Sequence, residues 1–194
     1  MLTNLSQNHI RAIFCYLDNR EVALSAIISK DWQKSVRLYF ENLPCFELTN
    51  ASLKNYNSDT FESLLNYFWK YIQPQHLIVT ADGIFQACYK TIFGKPNPRL
   101  RKLDFTILDD DEMGNQGIIL TTVKKSFPGL QAIRVYGNVL SEICVVPLAE
   151  IETLERLAIL SNSYSFEGKY LKNFHPLQAI EINVPSVSME NLKP

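Results

Sequence analysis

Leu130-Gln131-Ala132-Ile133-Arg134-Val135 is one copy of a phrase, apolar-x-x-apolar-x-apolar, that recurs through the second half of the chain. The other copies are Leu100-Arg101-Lys102-Leu103-Asp104-Phe105, Leu154-Glu155-Arg156-Leu157-Ala158-Ile159 and Leu177-Gln178-Ala179-Ile180-Glu181-Ile182, with a weaker one at Pro74-Gln75-His76-Leu77-Ile78-Val79. The central apolar residues, Leu77, Leu103, Ile133, Leu157 and Ile180, are spaced by 26, 30, 24 and 23 residues. The second half of each phrase alternates as a short strand does, with successive side chains on opposite faces. The spacers predict helices over 84–93, 116–127, 140–151 and 166–174, the second with Ile119, Leu120, Val123 and Phe127 as its apolar positions. Similar turn-like leads precede the strands: Pro96-Asn97-Pro98-Arg99-Leu100, Phe127-Pro128-Gly129-Leu130 and Phe174-His175-Pro176-Leu177. Strand–helix units joined by right-handed crossovers stack into a curved parallel sheet.

A spacing of this size resembles that of leucine-rich repeats, whose units run about 20–29 residues. The resemblance implies that the marker residues face a core and that the residues between them line a concave face. Three rows result: His76, Lys102, Ala132, Arg156, Ala179; then Ile78, Asp104, Arg134, Ala158, Glu181; then Thr80, Thr106, Tyr136, Leu160, Asn183. Asp104 beside Arg134 suggests an exposed cross-strand ion pair, stabilising by under ~1 kcal/mol. Tyr136 and Leu160 are an aromatic and an apolar anchor on an otherwise polar face, a composition suited to protein binding. The candidate substrate-contacting residues are Lys102, Asp104, Arg134, Tyr136, Arg156, Leu160, Glu181 and Asn183.

Ahead of the repeats, Ile10, Ile13, Phe14 and Leu17 fall at i, i+3, i+4 and i+7, one stripe of a helix. A polar break, Asp18-Asn19-Arg20, is followed by Glu21, an apolar run from Val22 to Ile28, and Trp32. Val36, Tyr39, Phe40 and Leu43 continue helically to Pro44. This pattern resembles the F-box, which begins Leu-Pro, runs through a helix ending Ile-Phe-x-Tyr-Leu, and closes on an apolar-Cys-Lys/Arg-x-Trp end. Leu5, Ile10, Ile13, Phe14, Tyr16 and Leu17 match its first half; Glu21, Val22, Ile28, Lys30 and Trp32 match its second. Ser6 replaces the usual Pro, and Ser29 stands where Cys is common. The resemblance implies that Leu5, Ser6, Ile10, Ile13, Phe14, Leu17, Val22, Ile28 and Trp32 bind a Skp-type adaptor or form the hairpin core. Sequence does not separate those two roles.

Between the two modules, Cys45-Phe46-Glu47-Leu48-Thr49 alternates like a strand, and Thr60 to Ile72 reads as a helix capped by Ser58-Asp59 and ended near Pro74. The expected architecture is an α+β or α/β repeat: F-box-like helices over 1–44, a linking strand and helix over 45–73, and a short irregular leucine-rich-repeat solenoid of about five units over 74–194.

Composition excludes several function classes. With 194 residues and 46% apolar content, the chain can bury a sizeable core. A net charge of −1, balanced also within residues 1–50, supplies no basic field for nucleic acid or an anionic membrane. No run of 18 apolar residues predicts a membrane span, and the N-terminus lacks the pattern of a signal peptide. Cys15, Cys45, Cys88 and Cys144 lie far apart, as expected of reduced cysteines in cytosol or nucleus.

Catalytic and cofactor motifs do not stand out. His9, His76 and His175 are scattered, with no zinc-ligand pairing, and Gly94-Lys95 lacks the rest of a phosphate loop. The run Asp109-Asp110-Asp111-Glu112 fails the EF-hand register, because Met113 and Leu120 occupy ligand positions. No cofactor or metal is expected. An F-box-like unit followed by leucine-rich repeats resembles the substrate receptors of Skp–cullin–F-box ubiquitin ligases. That implies a non-catalytic protein that docks on a Skp-type adaptor, and through it a cullin–RING ligase, while the repeats hold a protein substrate. A natural cytoplasmic or nuclear receptor and a bacterial or viral mimic in a host cytosol are both compatible with the composition. Two alternatives remain: a stand-alone repeat scaffold capped by its N-terminal helices, and an enzyme of unrecognised type.

Overall fold

The computed structural model describes residues 5–48, 69, 73–81, 92–107, 113–137, 145–161, 165–166, 168–174, 177–184 and 186–187. Three helices lead the chain: α1 (Gln7–Phe14), α2 (Asn19–Ser25) and α3 (Lys30–Glu41). Each starts at a residue suited to ending extended backbone. Ser6 occupies the cap position of α1 with φ −64° and ψ 155°, its hydroxyl 2.7 Å from His9 Nδ1. At α2, Asp18 and Glu21 cap reciprocally: Glu21 N–H donates to Asp18 Oδ1 (2.8 Å), and Asp18 N–H donates to Glu21 Oε2 (2.9 Å). Two backbone donors that a helix start leaves orphaned are thereby satisfied. At α3, Ser29 Oγ accepts from Trp32 N–H at 3.4 Å.

Six strands form one parallel sheet in the order β1-β2-β3-β4-β5-β7: β1 (Cys45–Leu48), β2 (His76–Ala81), β3 (Lys102–Ile107), β4 (Ala132–Gly137), β5 (Arg156–Ser161) and β7 (Ala179–Asn183). The register is that of the repeated phrase. Phe46, Leu77, Leu103, Ile133, Leu157 and Ile180 stand side by side, as do Val79, Phe105, Val135, Ile159 and Ile182. Most of these side chains are buried, and each fully buried Leu, Ile, Val or Phe contributes about 1.5–3 kcal/mol. A repeated hydrogen-bond pattern opens the strands. Gln75 O accepts from both Arg101 N–H and Lys102 N–H, Arg101 O from Gln131 and Ala132, Gln131 O from Glu155 and Arg156, and Glu155 O from Gln178 and Ala179, all at 2.8–3.1 Å. The leads repeat as well: Leu100, Leu130 and Leu154 each donate to the carbonyl three residues back. N-terminal helices followed by a parallel sheet with interleaved short helices form a short leucine-rich-repeat-like array.

The linking segment contributes to that sheet, since β1 is its edge strand, paired with β2. The elements between strands include helices, as expected, with one difference among the described residues. The longest spacing, from Leu103 to Ile133, holds a full helix, α4 (Met113–Ser126). In the spacing from Ile133 to Leu157, residue 145 is α-helical and a 3-10 turn, Val146–Glu150, follows, while residues 140–144 of the helix expected over 140–151 lie outside the described residues; where a helix is expected over 166–174, a 3-10 turn, Leu171–Asn173, is found among the described residues. Phe166 lies in a two-residue strand, β6 (Ser165–Phe166), paired with β8 (Ser186–Val187). Residues 92–94 are helical. The rest of the helix expected over 84–93, the acidic run 109–112 and the helix expected over 60–72, apart from Trp69, lie outside the described residues.

The helices and the sheet share one core. Edge-to-face aromatic contacts run from Phe14 to Trp32 (5.9 Å between centroids) and Tyr39 (5.5 Å), then through Phe40 to Phe46 (6.3 Å), and a tilted contact continues to Trp69 (6.2 Å). Arg99 adds a polar tie, donating from Nη1 to Glu41 O at the end of α3 (2.9 Å).

Candidate functional site

Burial separates the two roles that the N-terminal pattern leaves open. Ile10, Phe14, Val22 and Trp32 are at most 4% exposed and belong to the internal core. In the free chain these four therefore take the hairpin-core role of the two that the resemblance allows. Leu5, Ile13 and Leu17 are half-buried against that core, and Ser6 is exposed beside His9. Of the expected docking residues with large apolar side chains, Ile28 is the exposed one, at 41%. Three residues outside that set join it: Tyr16 (89%), Ile27 (85%) and Leu24 (38%). They lie in α2 and in the turns before and after it. Tyr16 is off the Ile10–Ile13–Phe14–Leu17 stripe, and that off-stripe phase is the signal by which sequence could have found it.

The second candidate surface is the open face of the sheet. Its rows align as the repeats predict, and β1 extends two of them, placing Cys45 beside His76 and Glu47 beside Ile78. Lys102, Asp104, Tyr136 and Leu160 are half-buried; Arg134, Arg156, Glu181 and Asn183 are exposed. The expected Asp104–Arg134 pair does not form, although the two residues are register partners. Asp104 Oδ2 instead meets His76 Nε2 at 2.8 Å and Lys102 Nζ at 3.0 Å. Arg134 reaches Glu181 at 3.7 Å, two strands away. The intervening residue is Ala158, small enough for the long guanidinium arm to cross, and it is only 8% exposed. Asp104 Oδ1 is enclosed and has no hydrogen-bond partner.

A hollow of about 340 Å³ opens on this face at the beginnings of β3, β4, β5 and β7. Arg101, Lys102, Arg134 and Arg156 line it, with the carboxylates of Asp104 and Glu181, and Ala132, Ala158 and Ala179 leave it room. Arg101, which sequence reasoning did not select, donates to Pro98 O (3.0 Å) and Gly129 O (2.8 Å) and meets no carboxylate there. A Cβ on Gly129 would overlap that guanidinium and stand 2.8 Å from Pro98 O, so this turn requires glycine.

Cys45, at the sheet edge, is a free thiol. Burial and the nearby Glu47 and Asp104 carboxylates push its pKa up, and Lys102 opposes them. A thiol held protonated is a poor nucleophile and a poor metal ligand. Among the described residues, no group of three or more His, Cys, Asp or Glu side chains is placed to hold a metal ion, and no helix is long and apolar enough to cross a membrane. Comparison with protein-family models gives no match, and comparison with curated proteins gives none either.

Proposed function

We propose that this protein is the substrate-recognition subunit of a Skp–cullin–F-box ubiquitin ligase. In this reading the N-terminal helices dock on a Skp-type adaptor, and the open face of the sheet holds a protein substrate. The chain performs no chemistry; it raises the local concentration of substrate beside a ubiquitin-loaded conjugating enzyme. One observation carries the docking half. Of the five large apolar side chains exposed among the described residues, four are Tyr16, Leu24, Ile27 and Ile28. Apolar groups gathered at one end of a chain favour burial against a partner. The docking residues are therefore these four, with Leu5, Ile13 and Leu17 at their margin, and Ile10, Phe14, Val22 and Trp32 support them from beneath.

The test is capture of a purified Skp-type adaptor by the intact chain. The wild type should bind, and Tyr16→Asp with Ile27→Asp should abolish capture at unchanged melting temperature. No capture by the folded wild type, or full capture by the double variant, overturns the reading.

A second reading, a stand-alone repeat scaffold, is favoured by the aromatic contacts that join α1 and α3 to β1. It makes the helices an N-terminal cap and expects a soluble monomer with no adaptor requirement. The ligase reading expects self-association or poor solubility of the free chain, relieved by adaptor.

A further inference from the structure

The hollow on the open face has a charge and a shape that select a ligand. Four cationic side chains line it against two carboxylates, whereas the whole chain carries a net charge of −1. The carboxylates are committed unevenly. Asp104 takes Lys102 and His76, and Glu181 takes Arg134 only at 3.7 Å. Arg156 is exposed and has no carboxylate partner among the described residues. It stands in register between Ala132 and Ala179, so its guanidinium is flanked by the two shortest side chains of its row. A cation between two gaps can be approached from either side, and its rigid donor fork matches a carboxylate.

We propose that this hollow seats the carboxylate of a glutamate or aspartate presented by an extended segment of the bound protein, with Arg156 as its principal ion partner. The inference rests on the reading of this face as the substrate surface and adds the substrate's chemical class. A volume of about 340 Å³ lies at the low end for ligand pockets, enough for one or two side chains of a longer segment. Asp104 and Glu181 on the lining repel a doubly charged phosphate more than a singly charged carboxylate, so the site favours Asp or Glu over phosphoserine. Tyr136 and Leu160 lie further along β4 and β5 on the same face, in register with each other. They offer apolar contact to the residues that follow the acid.

The experiment is selection from a degenerate dodecamer peptide library containing Asp, Glu and phosphoserine, with the full chain as bait. The wild type should enrich Asp or Glu at one fixed position. Arg156→Ala should weaken the selected peptide about tenfold or more, the loss expected of a charge-assisted hydrogen bond. Arg156→Glu should reverse the preference at that position to Lys or Arg, with an unchanged melting temperature. The same charge reversal at Lys34, exposed on α3, should change nothing. Absence of acidic enrichment, enrichment that survives Arg156→Glu, an equal effect of Lys34→Glu, or preference for phosphoserine would each overturn the proposal. Adaptor capture without acidic selection overturns this inference alone. Acidic selection without adaptor capture sustains the inference and overturns the ligase reading.

Discussion

Phe14 and Tyr16 are two residues apart and have opposite fates: one is 2% exposed and the other 89%. Both are aromatic matches to the same motif, so residue type cannot tell them apart. Their placement can: Phe14 ends α1 and packs on Trp32 and Tyr39, whereas Tyr16 stands in the turn that follows. Phe14→Ala should cost about 3–5 kcal/mol of stability, read as a lowered urea midpoint at unchanged slope. Tyr16→Ala should change stability by less than about 0.5 kcal/mol. Loss of partner binding in the Phe14 variant would therefore report unfolding, and only the Tyr16 variant isolates docking. Cys45 yields a prediction with a pH sign. Its pKa is raised, so the protonated form persists to higher pH than in a free thiol, and the reactive thiolate is scarcer at neutrality. Iodoacetamide labelling followed by peptide mapping should find Cys15, which is exposed, modified before Cys45. Labelling of Cys45 should accelerate only above the ordinary thiol range; rapid labelling at pH 7 would contradict this account.

At the scale of elements, local chemistry starts the helices. The break Asp18-Asn19-Arg20 ends one apolar run, and Glu21 completes a capping box that begins the next helix. Asp18→Ala should destabilise by about 1 kcal/mol, and Asp18→Asn should recover most of it, because asparagine caps nearly as well. Chemical denaturation of the pair decides this. Ser29, a departure from the F-box pattern, has its own use as the cap of α3. The apolar positions between strands suggest helices in every spacer; the longest spacing holds a full one, and the last holds a 3-10 turn, Leu171–Asn173, where a helix is expected over 166–174. Periodicity reports which side chains face inward; it does not distinguish an α-helix from a short 3-10 turn.

For the whole molecule, the shared core leads to the expectation of a single cooperative unit. Among the described residues, the buried cluster includes Ile10 and Phe14 of α1, Phe40 of α3, Phe46 of β1 and the strand residues as far as Phe174. Helical signal by circular dichroism and tryptophan fluorescence should therefore be lost in one coincident urea transition. Two separated transitions would mean that the helices fold apart from the sheet. A shared core also makes residues 5–44 structural support for the edge strand β1, whatever they additionally bind.

The strand phrases, their order and their register were legible from the chain alone, because alternation within six residues is a local property and a regular spacing forces equivalent residues side by side. Leu103, Ile133 and Leu157 could be aligned before any coordinate was known, and they are register neighbours. The choice of ion partners was not legible. Asp104 turned to His76 and Lys102 and Arg134 crossed Ala158 to Glu181, since side-chain reach and neighbouring volume set those distances. Nor could the N-terminal stripe be divided into core and surface from its own spacing. That division depended on where α3 and β1 stand, and an apolar side chain is buried only when another element arrives to cover it.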